Sequence, residues 1–307
     1  MIRRAIALAI LMTAIGRDAA AVVILDSTYR REGYRAAEAL AAEPQFAATF
    51  SFCGDIDDAC GEASGTWIGN DRRHGYILTA AHNFDDGYGP DAYVYRTRDG
   101  TYYEAEEVYI HPDYQPGGEN VEDGDDGSGY DLAIVVLGEP VTECGPAPML
   151  YGGEEEGGET VTFVGYGTRG SGRNGEDDRI PAGEVAAAAQ GVIEWVEPGS
   201  NEDGGRPEGN FFEIYLPRED GKIEDPFEGD VTRPVSKYAG LLGAGDSGGG
   251  AWLQTADGWV IAGVNDNGTG KAQYGDTSGF VRVSGEIAWI ASIFPRVRVS
   301  SDAQAGN

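Results

Sequence analysis

The chain has 307 residues, 48 of them glycine, and a net charge of −30 from 22 basic and 52 acidic residues. That length suits one large domain or two small ones, each able to bury a core. Such a charge excludes nucleic acid and anionic membrane as partners, because the surface repels both.

The first residues read "MIRRAIALAILMTAIGRDAAAVV". Arg3 and Arg4 make a basic start, residues 5–15 are almost wholly apolar, and Ala19, Ala20 and Ala21 offer a small-residue cleavage site. This pattern predicts a signal peptide over residues 1–21, the apolar run being too short to span a bilayer. The competing reading is an ordinary N-terminal anchor or buried helix. Removal of residues 1–21, which hold three arginines and one aspartate, takes the charge to −32. The expected location is secreted or periplasmic, with no membrane association in the mature form. With only Lys222, Lys237 and Lys271 as lysines, the surface also suggests a saline environment.

Residues 22–45 form a lead-in segment, helical around "GYRAAEALAAE". Short β-rich runs follow between turn signals, including "YILTA", "LAIVVL", "TVTFVGYG" and "GWVIAGV". They predict an all-β sandwich or barrel. One set of strands occupies about 46–148 and a second about 149–284. The stretch 171–235 is polar and irregular, and is expected to be long loops around a few strands. In "SGEIAWIASIF", Ile287, Ile290, Ala291 and Phe294 fall on one helical face, which predicts a terminal helix. Residues 296–307 are a tail. Three cysteines in an exported chain imply one disulfide and one thiol. Cys53 with Cys60 is the local pairing, and either could instead reach Cys144.

The stretch "GLLGAGDSGGGAW", residues 240–252, surrounds one serine with glycines. It is either a loose turn or a place where backbone N–H groups converge on a substrate oxygen. A serine hydroxyl needs a base to accept its proton, and histidine suits neutral pH. His74 lies in a polar turn, and His111, followed by proline, suits a structural loop. His82 follows an apolar strand and two alanines in "GYILTAAHNF"; alone it reads as a satisfied structural histidine. Asp131 heads the apolar strand "YDLAIVVL", where a buried carboxylate needs donors. It either caps a turn or accepts a histidine N–H. His82, Asp131 and Ser247 together supply a base, its orienting acid and a nucleophile. No cysteine or histidine spacing suggests zinc. Acidic loops such as "GGENVEDGDDGSG" carry oxygens suited to a structural calcium, but their spacing does not match an EF-hand, and a solvated loop is the plainer reading.

"LTAAH", "YIHPDY", "YDLAIVVL" and "GDSGGG", in that order, resemble the chymotrypsin-like serine proteases over roughly residues 46–295. The resemblance implies two six-stranded antiparallel β-barrels, a C-terminal helix and a serine endopeptidase acting on proteins or peptides, with no cofactor; a monomer is expected. His82 and Asp131 would come from the first barrel and Ser247 from the second. The backbone N–H groups of Gly245 and Ser247 would form the oxyanion hole, and Asp246 would be the buried acid that meets a new N-terminal ammonium. Leu241, Asp266, Asn267 and Gly268 are expected in the substrate pocket. Several features depart from the family pattern. Asn83 stands where a cysteine often follows the histidine, the cysteine pair around the serine is missing, and no basic residue precedes an Ile-Val-Gly-Gly-like start. Leu241 stands where tryptic relatives carry an acid. A catalytically inactive binding protein on the same fold is the alternative.

Overall fold

The computed structural model describes residues 22–56, 60–87, 89–116, 128–177, 179–180, 184–198, 208–227, 229 and 232–300. The expected signal peptide, most of the acidic loop considered for calcium and the end of the tail lie outside these residues.

Two large β-sheets carry the fold. The first is built from the N-terminal half. Its strands run in the order Tyr102–Tyr103, Val94–Arg96, Thr49–Cys53, Cys60–Asn70, Gly75–Thr79, Ala133–Leu137 and Ala105–Ile110, all antiparallel. The second runs Ala187–Val192, Thr160–Gly165, Gly250–Thr255, Gly258–Gly268, Thr277–Arg282, Glu208–Tyr215 and Trp195–Pro198, with Met149–Leu150 alongside Gly258–Gly268. Both are barrel-like, so the all-β double-barrel expectation holds. The strand count differs from six each: short hairpins extend the ends of both sheets. Residues such as Phe50, Phe52, Ile77, Leu78 and Val135 are fully buried, and so are Phe163, Phe212, Phe280 and Trp252 in the second half. These strands bury both faces, which is why their sequences read as continuous apolar runs and not as alternation.

The lead-in is built into the second half. Val23–Ile24 pairs in parallel with Gly170–Ser171 and antiparallel with Gly240–Leu241. Two short helices follow, Asp26–Glu32 and Arg35–Ala41. The second packs on the Ala187–Val192 strand, where small side chains on both elements permit close approach. The terminal helix, Val283–Ile293, buries Val283, Glu286 and Ile290. Phe294, just past its end, stacks on Tyr76 of the first sheet at 4.3 Å. Buried Glu286 bonds His111 Nε2 at 3.0 Å, and His111 stacks on Tyr130, so the helix is clamped to the first barrel. Cys53 and Cys60 form the disulfide. Cys144 is free and buried, and burial pushes its thiol pKa up to about 12.

Candidate active site

The Gly75–Thr79 strand delivers the chain into a 3-10 turn, Ala81–Gly87, whose second residue is His82. Ala80 and Ala81 are wholly buried, so the turn enters the core without bulk and leaves the imidazole one-third exposed. Asp131 sits between the Ser128–Tyr130 turn and the Ala133–Leu137 strand and is buried. Its Oδ1 accepts the His82 backbone N–H at 2.8 Å, and its Oδ2 is hydrogen-bonded to His82 Nδ1. Two donors from one residue make the buried carboxylate tolerable. Burial opposes charge on His82 most strongly, but the bond to Asp131 and that carboxylate's charge outweigh it, and the His82 pKa is raised. Burial likewise works against the Asp131 anion, and the same bond overcomes it, so the Asp131 pKa is lowered.

Ser247 belongs to the second half, on the turn before the Gly250–Thr255 strand. The turn is stitched to the first barrel. Ser64 N–H and Asn83 Nδ2 donate to the Ser247 carbonyl at 2.9 and 3.2 Å, and Ser64 Oγ donates to the Gly245 carbonyl at 2.9 Å. Gly248 has φ +86° and lies so close to Thr79 and Ser64 that a Cβ would collide with both. The glycine beside the serine therefore makes room for first-barrel atoms as well as permitting a left-handed turn. The Ser247 hydroxyl lies 3.5 Å from the Asp266 carbonyl, and no hydrogen bond joins it to His82 among the described residues. The N–H groups of Gly245 and Ser247 make no hydrogen bond among the described residues.

Asp246 is wholly buried. Its Oδ2 accepts from Val22 N at 3.0 Å and Gly243 N at 2.8 Å, and its Oδ1 from Gly167 N at 2.9 Å. Burial raises its pKa to about 7 despite these three donors. Val22 is itself wholly buried, has φ +44°, and its carbonyl accepts from the Tyr34 hydroxyl at 3.1 Å.

A family model described as a trypsin-like peptidase domain matches residues 63–262, about two-thirds of the chain. The chain belongs to that family. A search of curated proteins found no match.

Within this peptidase domain a cavity of about 230 Å³ opens beside Ser247. Leu242, Gly243, Ala244, Asp266, Asn267 and Gly268 are part of its lining, with Glu176 and Lys271. Leu241 departs from expectation. It is fully buried, pairs with Val23 and belongs to the second hydrophobic core, so the strand pairing turns it away from the cavity. Leu242 supplies the apolar wall instead. Asp266 lines the cavity, but its carboxyl reaches the His82–Asp131 pair: Oδ1 is 3.9 Å from His82 Nδ1. His82, Asp131 and Asp266 each offer a ligand atom within 4.8 Å of the others, the one grouping among the described residues with metal-ligand proximity. Ser64, Asn83 and this side of Asp266 had no signal in the sequence, since each acts through contacts between segments far apart in the chain.

Proposed function

We propose that the protein is an exported serine endopeptidase. Ser247 attacks the scissile carbonyl, His82 takes and returns the proton, and Asp131 holds the imidazole tautomer and offsets its charge. The N–H groups of Gly245 and Ser247 receive the oxyanion. An acyl-enzyme forms and water releases it, with no cofactor. The observation that carries this reading is the buried Asp131 bonded to both the backbone and the ring of His82, with Ser247 Oγ 3.5 Å from the carbonyl of Asp266, whose carboxyl reaches the same imidazole. Nucleophile–base bonds commonly tighten only when substrate is present. Export is supported by the Cys53–Cys60 disulfide, and no helix of the described residues is long and apolar enough to cross a membrane.

The bond of Ser247 to the Asp266 carbonyl, in place of His82, favours the second reading, a binding protein on the peptidase fold. A fluorophosphonate probe separates the two. It should label Ser247 in native protein and spare denatured protein. Native protein that stays unlabelled while folded would leave only the binding reading.

A further inference from the structure

Asp266 ends up in a setting where a second full negative charge is hard to hold. It lies on the Gly258–Gly268 strand, its side chain is 6% exposed, and Asp131 beside it is 5% exposed. Both carboxyls face one imidazole, and the three ligand atoms fall within 4.8 Å of one another. Two carboxylates this close in a poorly solvated site do not both ionise; one keeps a proton and donates it to the other. The surroundings decide which. Asp131 already accepts two N–H donors from His82, which favours its anion. Asp266 acts in the same direction, lowering the Asp131 pKa.

We propose that Asp266 is a positioning residue that works as a neutral carboxylic acid, donating its proton to Asp131 and fixing the carboxylate that orients His82. The peptidase then presents one net negative charge to its imidazole, not two. The proton stays on the pair throughout turnover, so no bond to substrate is made or broken by Asp266. The other ionisable groups facing the cluster are Asp85, whose charge also favours protonated His82, and Tyr114, whose hydroxyl donates to both Asp85 oxygens at 3.0 and 3.1 Å. Glu176 and Lys271 lie along the adjoining cavity.

The kinetic part of this inference rests on the serine-endopeptidase reading. The central test does not, because it follows the His82 ring by NMR in the resting protein. Asp266→Asn keeps the shape and a donor and removes only the ability to ionise. If Asp266 is neutral, the His82 titration midpoint in Asp266→Asn should stay within about 0.3 pH unit of wild type, and the acid limb of kcat/KM should move no more. If Asp266 carries a charge, its loss should lower the midpoint by about one unit or more, a tenfold change in protonation equilibrium, and that result would overturn the proposal. Asp266→Ala removes the donor; kcat should fall about tenfold or more with KM nearly unchanged, and Asp266→Asn should recover it. Equal loss in both variants would indicate a merely structural role and overturn the assignment. Should Asp266→Ala not fold, the Asp266→Asn midpoint decides alone. Zinc chloride is the remaining probe. Inhibition at micromolar zinc that Asp266→Asn relieves would assign the pair to a metal and also overturn the shared proton. Should no probe label Ser247, the serine reading falls, and the midpoint still decides the state of Asp266.

Discussion

Freeing the amino group of Val22 should change how the protein responds to pH. In the continuous chain the Val22 N–H is a neutral donor to Asp246, whose pKa stands at about 7. An unfolded aspartate titrates near 3.9. The folded state therefore holds a proton that the unfolded state has lost, and stability falls as pH rises from about 4 to 7. About three pH units at roughly 1.4 kcal/mol each give a loss of about 4 kcal/mol. Cleavage after Ala21 would replace the neutral donor with an ammonium. The pair would then hold Asp246 ionised and remove that loss. The ammonium's own pKa would be raised, so its contribution is present at neutral pH and fades as pH climbs above its ordinary value near 8. Val22 adds to the same trend. A β-branched residue at φ +44° is strained by the peptide before it, and a free terminus has no such peptide. At pH 7 a chain beginning at Val22 should melt about 8–16 °C above a chain retaining residues 1–21, at roughly 2–4 °C per kcal/mol. Scanning calorimetry from pH 4 to 8 on both chains, with a third beginning one alanine earlier, is the assay. Parallel pH curves for the three chains would refute the reasoning.

Ser247→Ala or His82→Ala should each lower kcat by about 10⁴ or more, with circular dichroism unchanged; peptide cleavage at the wild-type rate by either folded variant would dismiss the assignment. Acidic loops that repel one another should make stability rise with salt, as the screening length falls from about 8–10 Å near 0.1–0.15 M to about 3 Å at 1 M. A melting temperature that stays flat or falls from low to molar sodium chloride would count against this. Substrate selection should favour small or apolar side chains at P1, since Leu242, Gly243, Ala244 and Ala272 line the cavity. Asp276 is engaged with the Lys271 and Gln273 N–H groups and Asp266 lies against His82, so strong selection for Arg or Lys in a peptide library would point to Glu176.

The elements that could be read from sequence are those whose local pattern agrees with their environment. "YILTA" and "LAIVVL" are apolar because both faces are covered, and they became Gly75–Thr79 and Ala133–Leu137. The terminal helix was legible from Ile290 and Phe294, which are buried. Ala187–Val192 was not. Alanine favours helix, and only its pairing with Thr160–Gly165 makes this run a strand. Val23–Ile24 was hidden for a similar reason: two residues carry no period, and their partners lie about 150 and 220 positions away. At the site, His82, Asp131 and Ser247 stood out by residue type and order. Leu241 was misplaced because counting back from the serine gives a position along the chain, not the direction of a side chain. Asp266 lines the cavity as its place in the sequence suggested, but nothing in "GVNDNG" reveals that its carboxyl also lies within 3.9 Å of His82 Nδ1.

Ser64 Oγ accepts from Tyr166 N–H while donating to the Gly245 carbonyl, and Asn83 spans Thr79 and the Ser247 carbonyl. The main chain of Ser247, the proposed nucleophile, is thus part of the seam between the two halves. If Ser247 is the nucleophile, activity becomes a reporter of how well they are docked. A slight parting of the halves would then abolish activity while each kept its strands. Under mild denaturant, activity should disappear at a lower concentration than β-structure does, and it should return as soon as the halves close again.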